Sequence, residues 1–201
     1  MKPNEGVSDR AFTLALSAST TTTGSNLIFS VVSGATRFTA KTTCAKGAWQ
    51  RIVASYYRSS GQNNLKLYVD EQLKKTSLSN EIDDFYFNVG TMTIGSGSKV
   101  ATGSLNAEEA EAEFFTPHET FSGSIDEFRF YHGLRSIPKQ EADKTKTIYP
   151  NNIEGLVAYY KFNEPTGSHN MEEIVLDSSG NSLHGKITNY SQDLRLTSSF
   201  Y

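Results

Sequence analysis

The alternation at residues 65–70 constrains this chain most. Leu65, Leu67 and Val69 are interleaved with Lys66, Tyr68 and Asp70. A period of two sends successive side chains to opposite faces of an extended strand, and no helix can bury such a row on one side. The same period recurs. Phe12, Leu14 and Leu16 share a face within residues 11–16, and Ile52, Ala54 and Tyr56 share one within residues 47–57. Residues 26–33, 37–42, 73–76 and 91–95 read as further strands, rich in β-branched and aromatic side chains. Gly34, the run Ser59-Ser60-Gly61-Gln62-Asn63-Asn64 and Asp70-Glu71-Gln72 punctuate them. The result is a meander of hairpins. Residues 137–144 read as a short helix or turn. The expected fold class is all-β, a two-sheet antiparallel sandwich or jelly roll.

Residues 121–134 carry a second signal. Ile125, Phe128 and Phe130 are its apolar residues, and strand alternation cannot place Ile125 and Phe128 on one face without an extra residue between them. The pattern breaks at Asp126-Glu127. Two carboxylates at a bulge in an apolar strand are expected to be solvated, paired with cations or bound to a metal. Farther on, residues 154–162 form another strand with Leu156, Ala158, Tyr160 and Phe162 inward, Asp177-Ser178-Ser179-Gly180-Asn181 forms a turn, and residues 183–188 and 194–198 are closing strands. Residues 79–87 read as a loop or helical turn, and residues 96–119 as a long polar, acidic insertion.

Composition excludes several classes. A formal charge of -3 over 201 residues argues against nucleic-acid binding. No apolar run is long enough to span a bilayer, and the first residues lack the apolar stretch of a signal peptide. A single cysteine, Cys44, rules out an intramolecular disulfide and is expected to be a small strand residue. Twelve Phe and ten Tyr against one Trp suit an aromatic β core. Catalysis is not expected. Glycoside hydrolysis uses a pair of carboxylates; no Glu-x-Asp-x-x-Glu-type run is present, and Asp83-Asp84 lies in a poorly patterned stretch. Glu108, Glu109, Glu111 and Glu113 lie in a segment too polar to raise a carboxylate pKa. The four histidines show no metal spacing, and Gly95-Ser96-Gly97 opens no helix that could cradle a phosphate.

The run Gly47-Ala48-Trp49-Gln50-Arg51-Ile52, then Leu65 to Asp70, then 73–76, then Ile94-Gly95, then 121–131, resembles in order and spacing a laminin G-like jelly roll of the concanavalin A-like lectin/glucanase superfamily. The resemblance covers roughly residues 10–136. Residues 155–164 and 177–185 are similar to the opening strands of the same family, which normally precede the part that begins here near Ala11. The expected organisation is thus a module over residues 1–150 that lacks its opening strands, and an opening-strand segment over 151–201. That segment completes the same module as in a circular permutant, completes a neighbouring copy head to tail, or begins another copy in a longer array.

The resemblance implies a non-catalytic module that binds glycans or proteins in extracellular, cell-surface or virion proteins. It also implies a calcium ion between the turn of the opening segment and the final strand, drawing on Asp126, Glu127, Asp177 and Asn181, with Glu164 a weaker candidate. Calcium takes six to eight oxygens, which carboxylates, amide carbonyls and main-chain carbonyls supply. The alternative is that Asp177 caps its turn and that Asp126 or Glu127 pairs with a base such as Arg129. Trp49 invites a sugar-stacking reading, since aromatic rings stack on sugar faces, but the resemblance places a tryptophan at the start of that strand in the core. Tyr56, Tyr57 and Tyr68 are the candidates for a ligand platform, since alternation must turn some of them outward, and Tyr86 is a further one. The partners expected are a glycan or a surface protein, with head-to-tail strand exchange or a larger multidomain assembly as the alternative role.

Overall fold

The computed structural model describes residues 10–17, 24–33, 36–80, 92–95, 121, 123–144, 148, 153–164 and 173–187. They belong to two compact units, Met1–Ser122 and Gly123–Tyr201. Both are built of antiparallel strands, as the period of two requires. Tyr86, the acidic insertion and the closing strand at 194–198 lie outside the described residues.

The first unit holds two three-stranded sheets. In one, β1 (Arg10–Ser17), β2 (Gly24–Ser33) and β3 (Thr36–Ala45) pair in chain order. In the other, β4 (Ile52–Ser59), β5 (Gln62–Val69) and β6 (Gln72–Ser79) do the same. Two-residue turns join the second set. Ser60 and Gly61 at φ 51° and 80°, and Asp70 and Glu71 at φ 49° and 64°, have the paired left-handed conformations of a type I′ turn. Glycine meets that demand without strain at only one of the four positions.

The two sheets share one apolar cluster. Leu27, Phe29, Val31, Phe38 and Ala40 come from the first sheet, and Leu65, Leu67 and Val69 from the second. Phe12, Cys44, Ile52, Ala54 and Tyr56 pack against it. Registers Phe12↔Val31↔Phe38 and Ile52↔Val69 put these side chains on facing surfaces, as alternation predicts. Cys44 is the half-buried strand residue expected of it; burial pushes its thiol pKa up, against a hydrogen bond to the Ser25 carbonyl. The other face of β2 is buried as well, through Ile28, Ser30 and Val32, and the Ser30 hydroxyl is satisfied by that of Thr39 at 3.0 Å. Two expected strands are shorter or missing. Residues 47–51 precede β4 without joining it, and residues 92–95 bend at Ile94-Gly95 where Gly95 takes φ 78°.

The second unit is built on β7 (Phe128–Tyr131) and β8 (Leu156–Tyr160), an antiparallel pair. A one-turn-and-a-half helix α1 (Ile137–Ala142) follows β7, with Pro138 in its first turn. β9 (Ile174–Val175) pairs with β10 (Gly185–Lys186), and a bridge joins Tyr160 to Asp177. The β7–β8 ladder pairs residues 128–131 with residues 156–160 across residue 150.

Two sequence expectations are corrected here. The break at Asp126-Glu127 is no bulge inside a strand. Glu127 takes φ 53°, the ladder starts only at Phe128, and Ile125 is exposed. The bulge lies in β8 instead. Phe130 pairs with Ala158 and Tyr131 with Leu156, leaving Val157 as the extra residue. The extra residue reverses the alternation. Leu156 shares a face with Tyr159, not with Ala158 and Tyr160, and both join Ile148, Tyr131 and Ile153 in a second apolar cluster. On the opposite face Phe128 stacks on Tyr160 at 6.0 Å, and Phe162 follows at 6.1 Å.

Candidate functional site

The four residues expected around a calcium ion all lie in the second unit; protein donors engage both oxygens of Asp177 and one oxygen each of Asp126 and Glu127, while Asn181 bonds through its nitrogen. Asp177 begins the turn after β9. Its Oδ1 accepts the backbone N–H of Tyr159 at 2.9 Å and of Ser179 at 2.8 Å. Its Oδ2 accepts the Ser179 hydroxyl at 2.7 Å and the Leu183 N–H at 3.0 Å. These donors hold the carboxyl below its ordinary pKa even though burial, the largest single influence, pushes the other way. The Asp177 N–H in turn donates to His184 Nδ1 at 3.0 Å.

Asn181 presents nitrogen, not oxygen, to the strand. Its Nδ2 donates to the carbonyls of Leu156 at 3.0 Å and Val157 at 2.9 Å. The Ser179 Oγ is 3.0 Å from the Val157 carbonyl too. The turn thus covers the bulge of β8, where ladder pairing is interrupted and carbonyls need other donors.

Glu127 and Asp126 sit before β7. The Glu127 carboxylate accepts the Arg129 guanidinium and, at 2.5 Å, the Tyr159 hydroxyl. Arg129 lies over the Tyr159 ring at 4.9 Å and donates to the Asp143 carbonyl at 2.7 Å. Lys161 lies over the same ring at 5.5 Å. Tyr159 has no exposed surface, and burial together with the bond to Glu127 pushes its hydroxyl pKa up to about 12. Burial also raises the Asp126 carboxyl, whose Oδ1 accepts the N–H of Glu127 at 2.9 Å. Glu164 Oε1 accepts the Leu176 N–H at 2.7 Å.

A calcium ion does not fit this donor set. Asp177 would have to release four donors, Asn181 would have to rotate its amide, and Glu127 would have to leave an arginine. Among the described residues, no three His, Cys, Asp or Glu side chains come together in a way that could hold a metal. What the residues make instead is a capped turn and an ion pair.

The tyrosine candidates separate. Tyr56 faces the core of the first unit, with its hydroxyl donating to Asn63 Oδ1 at 2.8 Å. Tyr68 is 7% exposed although it points away from that cluster. Tyr57 is half-buried on the outer face, and Lys66 Nζ sits 5.2 Å from its ring centroid.

Trp49 is the residue the sequence misplaced. It is 55% exposed, not core. It stands on the 46–51 connection, which is fixed from below. Gln50 Oε1 accepts the Ala45 N–H at 2.6 Å while its Nε2 donates to Asp70 Oδ2 at 3.0 Å. Arg51 and Asp70 exchange two bonds of 2.9 Å, from Arg51 N–H to Asp70 Oδ1 and from Asp70 N–H to the Arg51 carbonyl. Arg51 pairs with Glu71 at 3.4 Å. Gly47 at φ 72° leaves open space beside its backbone. Gln50 and Arg51, shortly after a positive-φ glycine, give no periodic signal, which is why pattern alone could not see this brace. Comparison with protein-family models, with curated proteins and with solved structures gives no match to this chain.

Proposed function

We propose that the chain is a non-catalytic binding module that recognises glycans, of a laminin G-like jelly-roll type, in an extracellular, cell-surface or virion protein. The observation that carries the reading is the exposure of Trp49. An indole ring offers a broad apolar face with negative π density, and the C–H bonds of a pyranose pack on such a face. Tryptophan is on average a highly buried residue, so one this open to solvent calls for a reason. It stands on a loop braced through Gln50, Arg51 and Asp70, so little freedom remains to be lost on binding. Its neighbours Lys46, Gly47 and Ala48 are exposed and small or polar, which suits a sugar ring better than an apolar protein patch. The engagement of Asp177 and Glu127 with protein donors supports a non-catalytic role for them.

A glycan array with the whole chain, run beside Trp49→Ala, tests this. Binding that falls at least tenfold in the variant is expected; binding equal in both would refute the assignment to Trp49, and a blank array would refute glycan recognition. One observation favours a second reading, contacts with another protein. Leu73 and Leu78, 49% and 55% exposed, lie on the outer face of β6, an edge strand among the described residues. Light scattering showing an assembly that Leu78→Lys dissolves would support it.

A further inference from the structure

We infer that the turn Asp177–Asn181 is a metal-independent latch, which closes the β8 bulge by hydrogen bonding where the family resemblance would place a calcium ion. The inference does not depend on what the module binds. It starts from the acceptor count. An ionised carboxylate offers about four lone-pair sites. Asp177 fills them with the N–H groups of Tyr159, Ser179 and Leu183 and with the Ser179 hydroxyl. The single Ser179 proton serves the carboxylate, the stronger acceptor, and leaves the Ser179 oxygen to accept from the Asn181 N–H at 3.2 Å.

The amide of Asn181 is the decisive group. An asparagine ligates a cation through its oxygen. Here the two N–H bonds of Nδ2 are directed at the Leu156 and Val157 carbonyls. Main-chain carbonyls are among the oxygens calcium takes, and these two face the turn. A donor nitrogen already covers both, and a cation beside it would meet N–H dipoles pointing the wrong way. The bulge explains why the amide is needed. Where Val157 is the extra residue the ladder with β7 lapses, and the carbonyls there need donors from elsewhere. The latch also spans the unit. Tyr159 belongs to β8, Leu183 lies just before β10, and the Tyr160 hydroxyl reaches the Leu183 carbonyl at 2.6 Å. One side chain therefore ties β8 to the segment that returns toward β10. That is the mechanical task assigned to calcium in the resemblance, performed here with a single negative charge.

The test uses the whole chain and three measurements. Thermal melts are recorded in millimolar calcium and in chelator. Terbium, a luminescent calcium substitute, is added with excitation of the adjacent Tyr159 and Tyr160. Asn181→Asp is then melted in both buffers. The latch predicts equal melting of the wild type in the two buffers, no tyrosine-sensitised terbium emission abolished by Asp177→Asn, and a Tm loss for Asn181→Asp of about 5 °C in chelator, because a carboxylate replaces the amide donors. A wild-type Tm higher in calcium than in chelator, terbium emission that Asp177→Asn removes, or an unchanged Tm for Asn181→Asp in chelator would each overturn it. The wild-type comparison stands even if the variant fails to fold.

Discussion

Gly155 offers the sharpest test of the second unit. It holds φ 76° one residue before β8, and a Cβ there would lie 2.5 Å from the His132 carbonyl oxygen. That approach accompanies the bond from the His132 N–H to the Gly155 carbonyl, 2.7 Å long, which closes the end of the β7–β8 ladder. Replacing Gly155 with alanine incurs two costs. A left-handed non-glycine residue costs about 1–2 kcal/mol. Relieving the contact means moving backbone against backbone and loosening the closing bond, about 1–2 kcal/mol more. Reduced freedom of the unfolded chain returns about 0.5 kcal/mol. The net expectation is a loss of about 2–3 kcal/mol, or roughly 7 °C in Tm for a chain of this length. Gly61 supplies the control. It takes φ 80° in the β4–β5 turn, and a Cβ there would meet nothing within 4 Å. Gly61→Ala therefore meets only the backbone cost, about 1 kcal/mol. Urea denaturation followed by far-ultraviolet circular dichroism measures both. Equal losses in the two variants, or a Gly155→Ala loss below about 0.5 kcal/mol, would show that the contact with His132 does not constrain the fold.

Two further outcomes are expected. The Asp177 carboxyl has a lowered folded pKa, so its contribution is present above the unfolded value and is lost as pH falls through the folded one; melts across the acid range should show wild type and Asp177→Asn converging as pH drops, and a constant gap would contradict this. Trp49→Ala should change stability by no more than about 0.5 kcal/mol, as for an exposed side chain, whereas a loss of about 3 kcal/mol in the same denaturation assay would restore Trp49 to the core.

The hairpins of the first unit were legible because each face of Leu65, Leu67 and Val69 is set locally, by a period and by turn residues a few positions away. Where the sequence misled, the cause was not local. Leu156 reads as a companion of Ala158 until the register with Tyr131 inserts Val157 between them. The break at Asp126-Glu127 was visible, but its form, a left-handed residue ahead of a short strand, depends on Tyr159 and Arg129 receiving Glu127. The turn at Asp177 announced itself through Asp, Ser, Gly and Asn. Its partners, Tyr159, Val157 and Leu156, lie too far back in the chain for spacing to name them. The resemblance would bury Trp49, yet it is exposed on a connection that Gln50 and Asp70 brace, and those partners lie too far apart in the chain for a pattern to pair them.

The turns of the first unit also bear on the order in which the molecule acquires its structure. β4, β5 and β6 are joined by pairs of residues, Ser60-Gly61 and Asp70-Glu71, so each ladder can zip from its turn on the microsecond scale of hairpin formation. β7 has no such neighbour. Its partner β8 arrives only after residues 132–155 have closed a loop, and the carboxylate of Asp177 can engage Tyr159 only after that. Nascent chain emerging from a ribosome should therefore protect the amides of Leu65 and Leu67 from hydrogen exchange well before that of Tyr159.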